Sequence, residues 1–205
     1  MSEKKLIIAA RTLSIIFTPF YLPLVGMIIL FWVSDLNQFR LAYRLNIVIM
    51  VYLFTVLLPT YFIRLYRNYN GWKAFQLGQK ERRMVPYVIS IMSYFICYYL
   101  MNYRHIPHVI SSIIIAALLV QLVCAFINVW WKVSTHMAGI GGIVGGLIVF
   151  SIYFSFNMIW WLCFTLLLAG LVGSSRMILR QHNLSQVVVG FIIGLFLTSF
   201  SIIFL

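Results

Sequence analysis

The feature that most limits the fold of this chain is a succession of long apolar runs separated by short polar segments. Of the 205 residues, 63% are hydrophobic, and the mean hydropathy is +1.02. A soluble domain of this size could not bury so many apolar side chains, whereas a lipid bilayer accommodates them. The sequence therefore predicts an integral membrane protein.

The apolar runs predict an all-α, polytopic helical membrane protein with six to seven transmembrane helices. Each run is long enough to cross about 30 Å of hydrocarbon as a helix. We expect residues 4–17 to form a helix at the membrane surface, because Lys4, Lys5 and Arg11 interrupt its apolar residues. We expect this first segment to be retained, and residues 1–205 to form a single domain. The predicted spans are 18–34, 45–66, 86–103, 107–131, 137–155, 157–174 and 184–205.

The charged residues restrict the possible functions. There are 15 Lys and Arg against three acids, which gives a formal net charge of +12. Such a surplus suits anionic lipid headgroups or an anionic substrate. We expect no nucleic-acid partner, since no soluble basic domain is present to bind one. Hydrolysis by Mg²⁺ or Ca²⁺ is also excluded, because three scattered carboxylates cannot supply the converging ligands that such cations need.

Three polar clusters lie just outside the predicted helices. An even number of predicted spans separates each pair of clusters, so all three emerge on the same face of the membrane. They place cations and two histidines where they could surround one phosphate. The clusters are Lys80, Arg82 and Arg83 ahead of Pro86; Ser134, Thr135 and His136; and Ser175, Arg176 and His182.

Paired glycines favour close packing of the helices that follow the second and third clusters. Small residues four apart let two membrane helices approach closely. Ordinary helix packing in the membrane is the alternative explanation, but it would bring the two histidine-bearing helices together as well. The pairs are Gly141 with Gly145, Gly142 with Gly146, and Gly190 with Gly194.

The histidine clusters have the geometry of a small anion site. His182 and Gln186 are four residues apart at the start of the last helix and so share a face. His136 opens the fifth predicted span, with Ser134 at a helix N-terminus, where free backbone N–H groups favour an anion. Taken one by one, such histidines and cations more often only anchor lipid headgroups. It is their combination on one face that indicates chemistry.

The second and third clusters resemble the signature of the type 2 phosphatidic acid phosphatases, membrane relatives of the vanadium haloperoxidases. That signature reads Lys-x6-Arg-Pro, then Pro-Ser-Gly-His, then Ser-Arg-x5-His-x3-Asp. The run Ser175-Arg176-x5-His182-x3-Gln186 matches the third part in all but its last residue. The second part keeps Ser134 and His136. The resemblance covers roughly residues 73–195.

The first cluster matches the signature most loosely. Arg83 lies three residues before Pro86 instead of beside it, and no lysine stands seven residues before either arginine. Lys80 or Lys73 would have to serve.

The resemblance implies a catalytic role for both histidines. His182 would attack phosphorus and form a phosphohistidine, while His136 would protonate the leaving oxygen and later activate water. Gln186 replaces an aspartate that orients the nucleophile, and its amide oxygen can still accept the ring N–H. The family mechanism requires neither a metal nor another cofactor.

The resemblance also implies which residues hold the phosphate and what the substrate is. The substrate would be a phosphate monoester or pyrophosphate of a membrane lipid, such as phosphatidate, phosphatidylglycerophosphate, a polyprenyl pyrophosphate or a lipid A-type glycolipid. The sequence does not choose among these lipids or indicate an oligomeric state. The expected phosphate-binding residues are Arg176, Arg83, Arg82, Lys80 and Ser134.

Two further expectations concern location and an alternative function. Of the Lys and Arg residues, all but Arg40, Arg44 and Arg104 fall on the face that carries the clusters. The positive-inside rule then puts this face in the cytoplasm, and we place the protein in a bacterial inner membrane. The alternative function is a non-catalytic membrane protein that binds or transports an anionic lipid. Gln186 and the loose first cluster favour it.

Overall fold

A computed structural model describes residues 3–71, 84–154 and 157–205. Over these residues the chain consists of helices joined by short turns, and no strand occurs among them. The all-α architecture predicted from the apolar runs is confirmed. The α-helices are α1 (Glu3–Ile16), α2 (Leu22–Val33), α3 (Leu41–Tyr52), α4 (Leu58–Tyr69), α5 (Met84–Tyr103), α6 (His108–Trp130), α7 (Thr135–Tyr153), α8 (Ile159–Ile178) and α9 (Leu184–Phe204).

Six helical segments in the described part of the chain are long and apolar enough to cross a membrane. The first is Leu41–Tyr69, in which a π-helical turn, Leu53–Leu57, joins α3 to α4 without a break. The other five are α5 to α9. The predicted membrane-protein class and the expected number of spans are confirmed.

The span predicted over residues 18–34 is wrong in its extent. The helix found there, α2, has 12 residues, Leu22–Val33. At 1.5 Å per residue it is about 18 Å long, short of the roughly 30 Å of hydrocarbon. The Ser34 hydroxyl donates to the Leu30 carbonyl (2.5 Å) and accepts from Leu36 N (3.3 Å), which turns the chain into a short 3₁₀ helix.

The shorter α2 does not affect the predicted common face of the clusters. Two spans, α5 and α6, separate the first cluster from the second, and α7 and α8 separate the second from the third. Two crossings return the chain to the side from which it started. The common face therefore depends only on α5 to α8, and all four are long enough to span.

The most extensive helix pair in the described residues is that of α7 and α9. Their backbones touch. A Cβ atom added at Gly194 would overlap the carbonyl of Ala138, and one added at Gly141 would overlap the carbonyl of Phe191. Only glycine fits at such a contact, because any side chain would have to displace main-chain atoms.

The contact between α7 and α9 extends to the N-terminal end of α7, where the second cluster lies. A Cβ at Gly190 would lie 2.5 Å from the carbonyl oxygen of Ser134, the residue that precedes α7. The close approach predicted from the paired glycines is thereby confirmed. It brings the N-terminal ends of α7 and α9 side by side. His136 lies in the first turn of α7, and His182 lies just before α9.

We predict that Gly194→Ala destabilises the protein by about 1–3 kcal/mol, because the added methyl group forces the two backbones apart. Thermal unfolding in detergent should show a lower midpoint. Gly170→Ala is the matched control, since a Cβ at this exposed position of α8 meets nothing within 4 Å. An unchanged midpoint for Gly194→Ala would contradict the close contact.

Candidate active site

The second cluster lies at the N-terminus of α7. Ser134 is the N-cap residue, and His136 is the second residue of the helix. The Ser134 side chain is fully buried but does not cap the helix. The first N–H groups of α7, which have no partner within the helix, therefore remain available to an anion.

The backbone at the end of α8 sets the spacing between Arg176 and His182. Gln181 N donates to the Arg176 carbonyl (3.1 Å), and Arg180 N donates to the Met177 carbonyl (2.9 Å). This is a Schellman motif, and Arg180 takes the left-handed position with φ 52°. His182 N also reaches the Arg176 carbonyl, at 3.3 Å. The arginine and the histidine are thus held on one tight turn.

The expected contact between His182 and Gln186 is present. His182 Nδ1 lies 3.2 Å from Gln186 Oε1, and Asn183 N lies 3.3 Å from the same atom. Because a backbone N–H can only donate, Asn183 requires the oxygen end of the amide here. His182 Nδ1 therefore carries a proton, and in the neutral ring the lone pair is on Nε2.

Backbone contacts join the second and third clusters. Ser134 N donates to the Gln186 carbonyl at 3.2 Å. Lys132 Nζ donates to the Gln181 carbonyl at 2.6 Å, which ties the segment before α7 to the loop before α9. The two loops are therefore one structural unit at the ends of the packed helices.

The functional groups of the two clusters come within electrostatic range of one another. His136 interacts with the charges of both Arg176 and His182. Each of these three side chains is partly buried. The convergence predicted from the number of crossings is found for the second and third clusters.

A residue that the sequence analysis did not single out contacts both His136 and Arg176. Ser14, near the end of α1, accepts a hydrogen bond from Arg176 Nη1 at its hydroxyl (2.5 Å). Its carbonyl lies 3.2 Å from His136 Nε2. Since a carbonyl only accepts, His136 Nε2 carries a proton here. No family motif in α1 points to this serine.

The cations of the first cluster cannot be placed relative to these groups. Lys73, Lys80, Arg82 and Arg83 all lie outside the described residues. The described chain resumes at Met84, and Pro86 in the first turn of α5 lines a cleft that also exposes His182. Pro86 and His182 therefore face the same cleft.

This cleft has a volume of about 190 Å³, and His182 forms part of its wall. It lies where α5, α6 and the segments before α2, α7 and α9 meet. His136 and Arg176 are not among its lining residues, whereas the neighbouring Thr135 is. The lining residues are Pro19, Phe20, Pro86, Tyr87, Ser90, Gln121, Asn128, Lys132, Val133, Thr135 and His182.

Asn128 organises one wall of the cleft. Its amide donates to the Tyr87 hydroxyl (2.7 Å) and to the Cys124 carbonyl (2.8 Å), while its oxygen accepts from Val133 N (3.3 Å). The sequence analysis missed this residue. A signal was available, because a polar side chain inside an apolar span is costly unless it is paired, and such residues mark functional sites.

Two buried polar atoms beside the histidines lack a hydrogen-bond partner among the described residues, namely Ser134 Oγ and Arg176 Nε. Buried polar groups are paired in the large majority of cases. Both atoms can donate to an oxygen. The oxygens of a phosphate are acceptors of this kind, so the donor set fits a phosphate ligand.

Comparison with known families identifies the part of the chain that carries these residues. Residues 128–205 match the PAP2 superfamily. They include His136, Arg176 and His182, together with both packed helices α7 and α9. The family resemblance identified from the motifs is confirmed over this region, and it supports phosphatase activity on a phosphorylated substrate. No curated protein and no solved structure matches the chain.

The PAP2 match begins at Asn128 and leaves out the first motif and α1. The residues that differ most from the family signature, Lys80 and Arg83, therefore lie outside it. Ser14 lies outside it too, although it contacts two of the matched residues.

We predict that Gln186→Glu preserves or raises turnover, whereas Gln186→Leu lowers it about tenfold or more. Glutamate keeps the reach to His182 Nδ1 and adds a charge that stabilises the imidazolium ion, while leucine removes a hydrogen bond to a charged group. Initial rates of phosphate release from a PAP2-type substrate, per folded protein, measure the effect.

Asn183→Ala is the matched control for these variants. Asn183 Oδ1 accepts from Gln186 N as the cap of α9, so its loss costs about 1 kcal/mol of stability. The contact from His182 to Gln186 remains, and turnover should be kept. Wild-type rates in a folded Gln186→Leu protein would show that the contact of Gln186 with His182 does not matter for turnover.

Proposed function

We propose that this protein is a metal-independent lipid phosphatase that hydrolyses a phosphate monoester or pyrophosphate of a membrane lipid through a phosphohistidine intermediate. The proposal rests on the tautomer of His182 and on its position in the wall of the cleft. Gln186 holds its Nδ1–H, so that Nε2 keeps the lone pair, and the ring lines an accessible cleft. His136 and Arg176 lie close by.

In the first step, the Nε2 lone pair of His182 attacks phosphorus and the bond from phosphorus to the lipid oxygen breaks. His136 gives a proton to the leaving oxygen, so that an alcohol departs, or a lipid phosphate if the substrate is a pyrophosphate. The charge that develops on the His182 ring is stabilised by the amide oxygen of Gln186.

In the second step, water attacks the phosphohistidine. His136, now neutral, takes a proton from the water as the new P–O bond forms, and the P–N bond returns its electron pair to His182 Nε2. Inorganic phosphate leaves and both histidines regain their starting state. No group outside the chain other than water is needed to balance the reaction.

The non-bridging oxygens of the phosphate require donors, and the site supplies several. Arg176 Nε and Ser134 Oγ are the buried donors without a partner in the described chain. The free N–H groups at the start of α7 add to them. We assign Arg83, Arg82 and Lys80 to the same task, and the two crossings between their cluster and the second cluster support a common face.

The lipid character of the substrate is supported by a second, apolar cavity. It adjoins the cleft and shares Pro19, Gln121 and Thr135 with it. Along α7 it runs from Thr135 to Phe150, a distance of about 22 Å at 1.5 Å per residue. A hydrocarbon tail is the ligand that suits such a lining, since apolar surface gains by leaving water.

The proposed location follows from the distribution of cations. From Arg64 onward, every Lys and Arg except Arg104 belongs to a segment on the face of the three clusters, and this holds when the expected phosphate ligands are left out of the comparison. The positive-inside rule supports a cytoplasmic site in a bacterial inner membrane.

Binding or transport of an anionic lipid without bond cleavage is the second candidate. Gln186 favours it, because the amide contributes no charge to the histidine. The presence of two histidines beside an arginine favours the phosphatase, because a binding site needs cations but neither a nucleophile nor a proton donor.

We predict that the purified protein releases phosphate from phosphorylated lipids in the presence of a chelator, and that His182→Ala abolishes the release. The panel should hold phosphatidate, phosphatidylglycerophosphate, a polyprenyl pyrophosphate and a soluble phosphate monoester of matched leaving group. Vanadate should inhibit, because it mimics the five-coordinate phosphorus at a phosphohistidine site.

Faster release from the lipids than from the soluble monoester would support the role of the apolar cavity. Release that persists in His182→Ala would show that this histidine is not the nucleophile. If a folded protein bound these lipids and released phosphate from none of them, the transport or binding function would replace the phosphatase.

A further inference from the structure

We propose that Ser14 of α1 is a positioning residue of the active site, acting on Arg176 and His136 together. This inference rests on the proposed function for the roles of those two residues. It goes beyond that function because α1 lies outside the PAP2-matched region and carries no motif.

The contact of Ser14 with Arg176 fixes one end of the guanidinium group. Arg176 Nη1 donates to Ser14 Oγ at 2.5 Å. A long arginine side chain loses considerable rotamer freedom when it is held in place. With one nitrogen anchored, the planar group presents its other donors in a defined direction, among them Nε, which has no partner among the described residues.

The contact between the Ser14 carbonyl and His136 determines which ring nitrogen is left to exchange a proton with the substrate. Its Nε2–H points to the Ser14 carbonyl, so in the neutral ring the lone pair is on Nδ1. When the ring is protonated, the same carbonyl stabilises the imidazolium ion and Nδ1–H is the proton given to the leaving oxygen. Ser14 thus does for His136 what Gln186 does for His182.

The packing of α1 explains how a residue so distant in sequence reaches the site. Ala10 and Ser14 are one turn apart and both are buried, whereas Lys4, Lys5 and Arg11 are exposed. This buried face of α1 packs along α8, the helix that carries Arg176. Small residues on this face let the two helices approach closely, so that the short serine side chain reaches the guanidinium group.

The test compares Ser14→Ala with Ser14→Thr and with Thr12→Ala in the full chain. Ser14→Thr keeps a hydroxyl at the contact. Thr12→Ala removes a hydroxyl from the same helix, but this one bonds only to the Ile8 carbonyl one turn earlier. The readouts are KM and kcat for phosphate release, and the affinity for inorganic vanadate from the ligand-dependent shift in the unfolding temperature.

We predict that Ser14→Ala raises KM and weakens vanadate binding by about tenfold, the effect of losing one hydrogen bond to a charged group. The change in kcat should be smaller, because the carbonyl that holds His136 remains. Ser14→Thr should recover most of the affinity, and Thr12→Ala should match the wild type.

Unchanged vanadate affinity in Ser14→Ala would overturn the inference. Tighter binding would overturn it as well, since it would mean that Ser14 occupies the place of the phosphate instead of positioning its ligands. The binding readout is independent of turnover, so it separates this inference from the proposed function. If the wild type binds vanadate but releases no phosphate, only the phosphatase fails, whereas a wild type that binds no vanadate removes the basis for both.

Discussion

The direct contact between the backbones of α7 and α9 is the constraint on which the rest of the site depends. Gly141, Gly190 and Gly194 meet main-chain atoms of the opposite helix with no room for a side chain. In a bilayer, where lipid tails are as apolar as leucine, such close packing supplies much of the attraction between helices. It also fixes the relative height of the two helices, because carbonyl groups lie against glycines in one register only.

The register between α7 and α9 determines how the functional side chains are placed. The N-cap of α7 lies against Gly190, and Ser134 N bonds to the carbonyl of Gln186 within the first turn of α9. His136 and His182 therefore start from adjacent helix ends, and Arg176 joins them through the turn that closes α8. Each imidazole has one nitrogen engaged by an oxygen, so both tautomers are defined before a substrate arrives.

Much of this could be predicted from the sequence, and the exceptions have physical causes. Long apolar runs define the helices of a bilayer protein, and the number of crossings predicted the common face on which the second and third clusters are found. The extent of α2 was missed because hydropathy does not register the turns over residues 18–21, after which the helix begins at Leu22 with Pro23 in its first turn. Ser14 was missed because its contacts depend on how α1 packs against α8, and no local pattern encodes a contact across 162 residues.

The central claim is that phosphate passes through His182. The most direct measurement is to mix the protein with a lipid whose terminal phosphate is radiolabelled, quench under alkaline conditions, and map the label by mass spectrometry of the peptides. The account predicts phosphate on the imidazole of His182 in the wild type and none on the peptide in His182→Ala. Release of labelled phosphate without label on His182, or label on another residue, would contradict it.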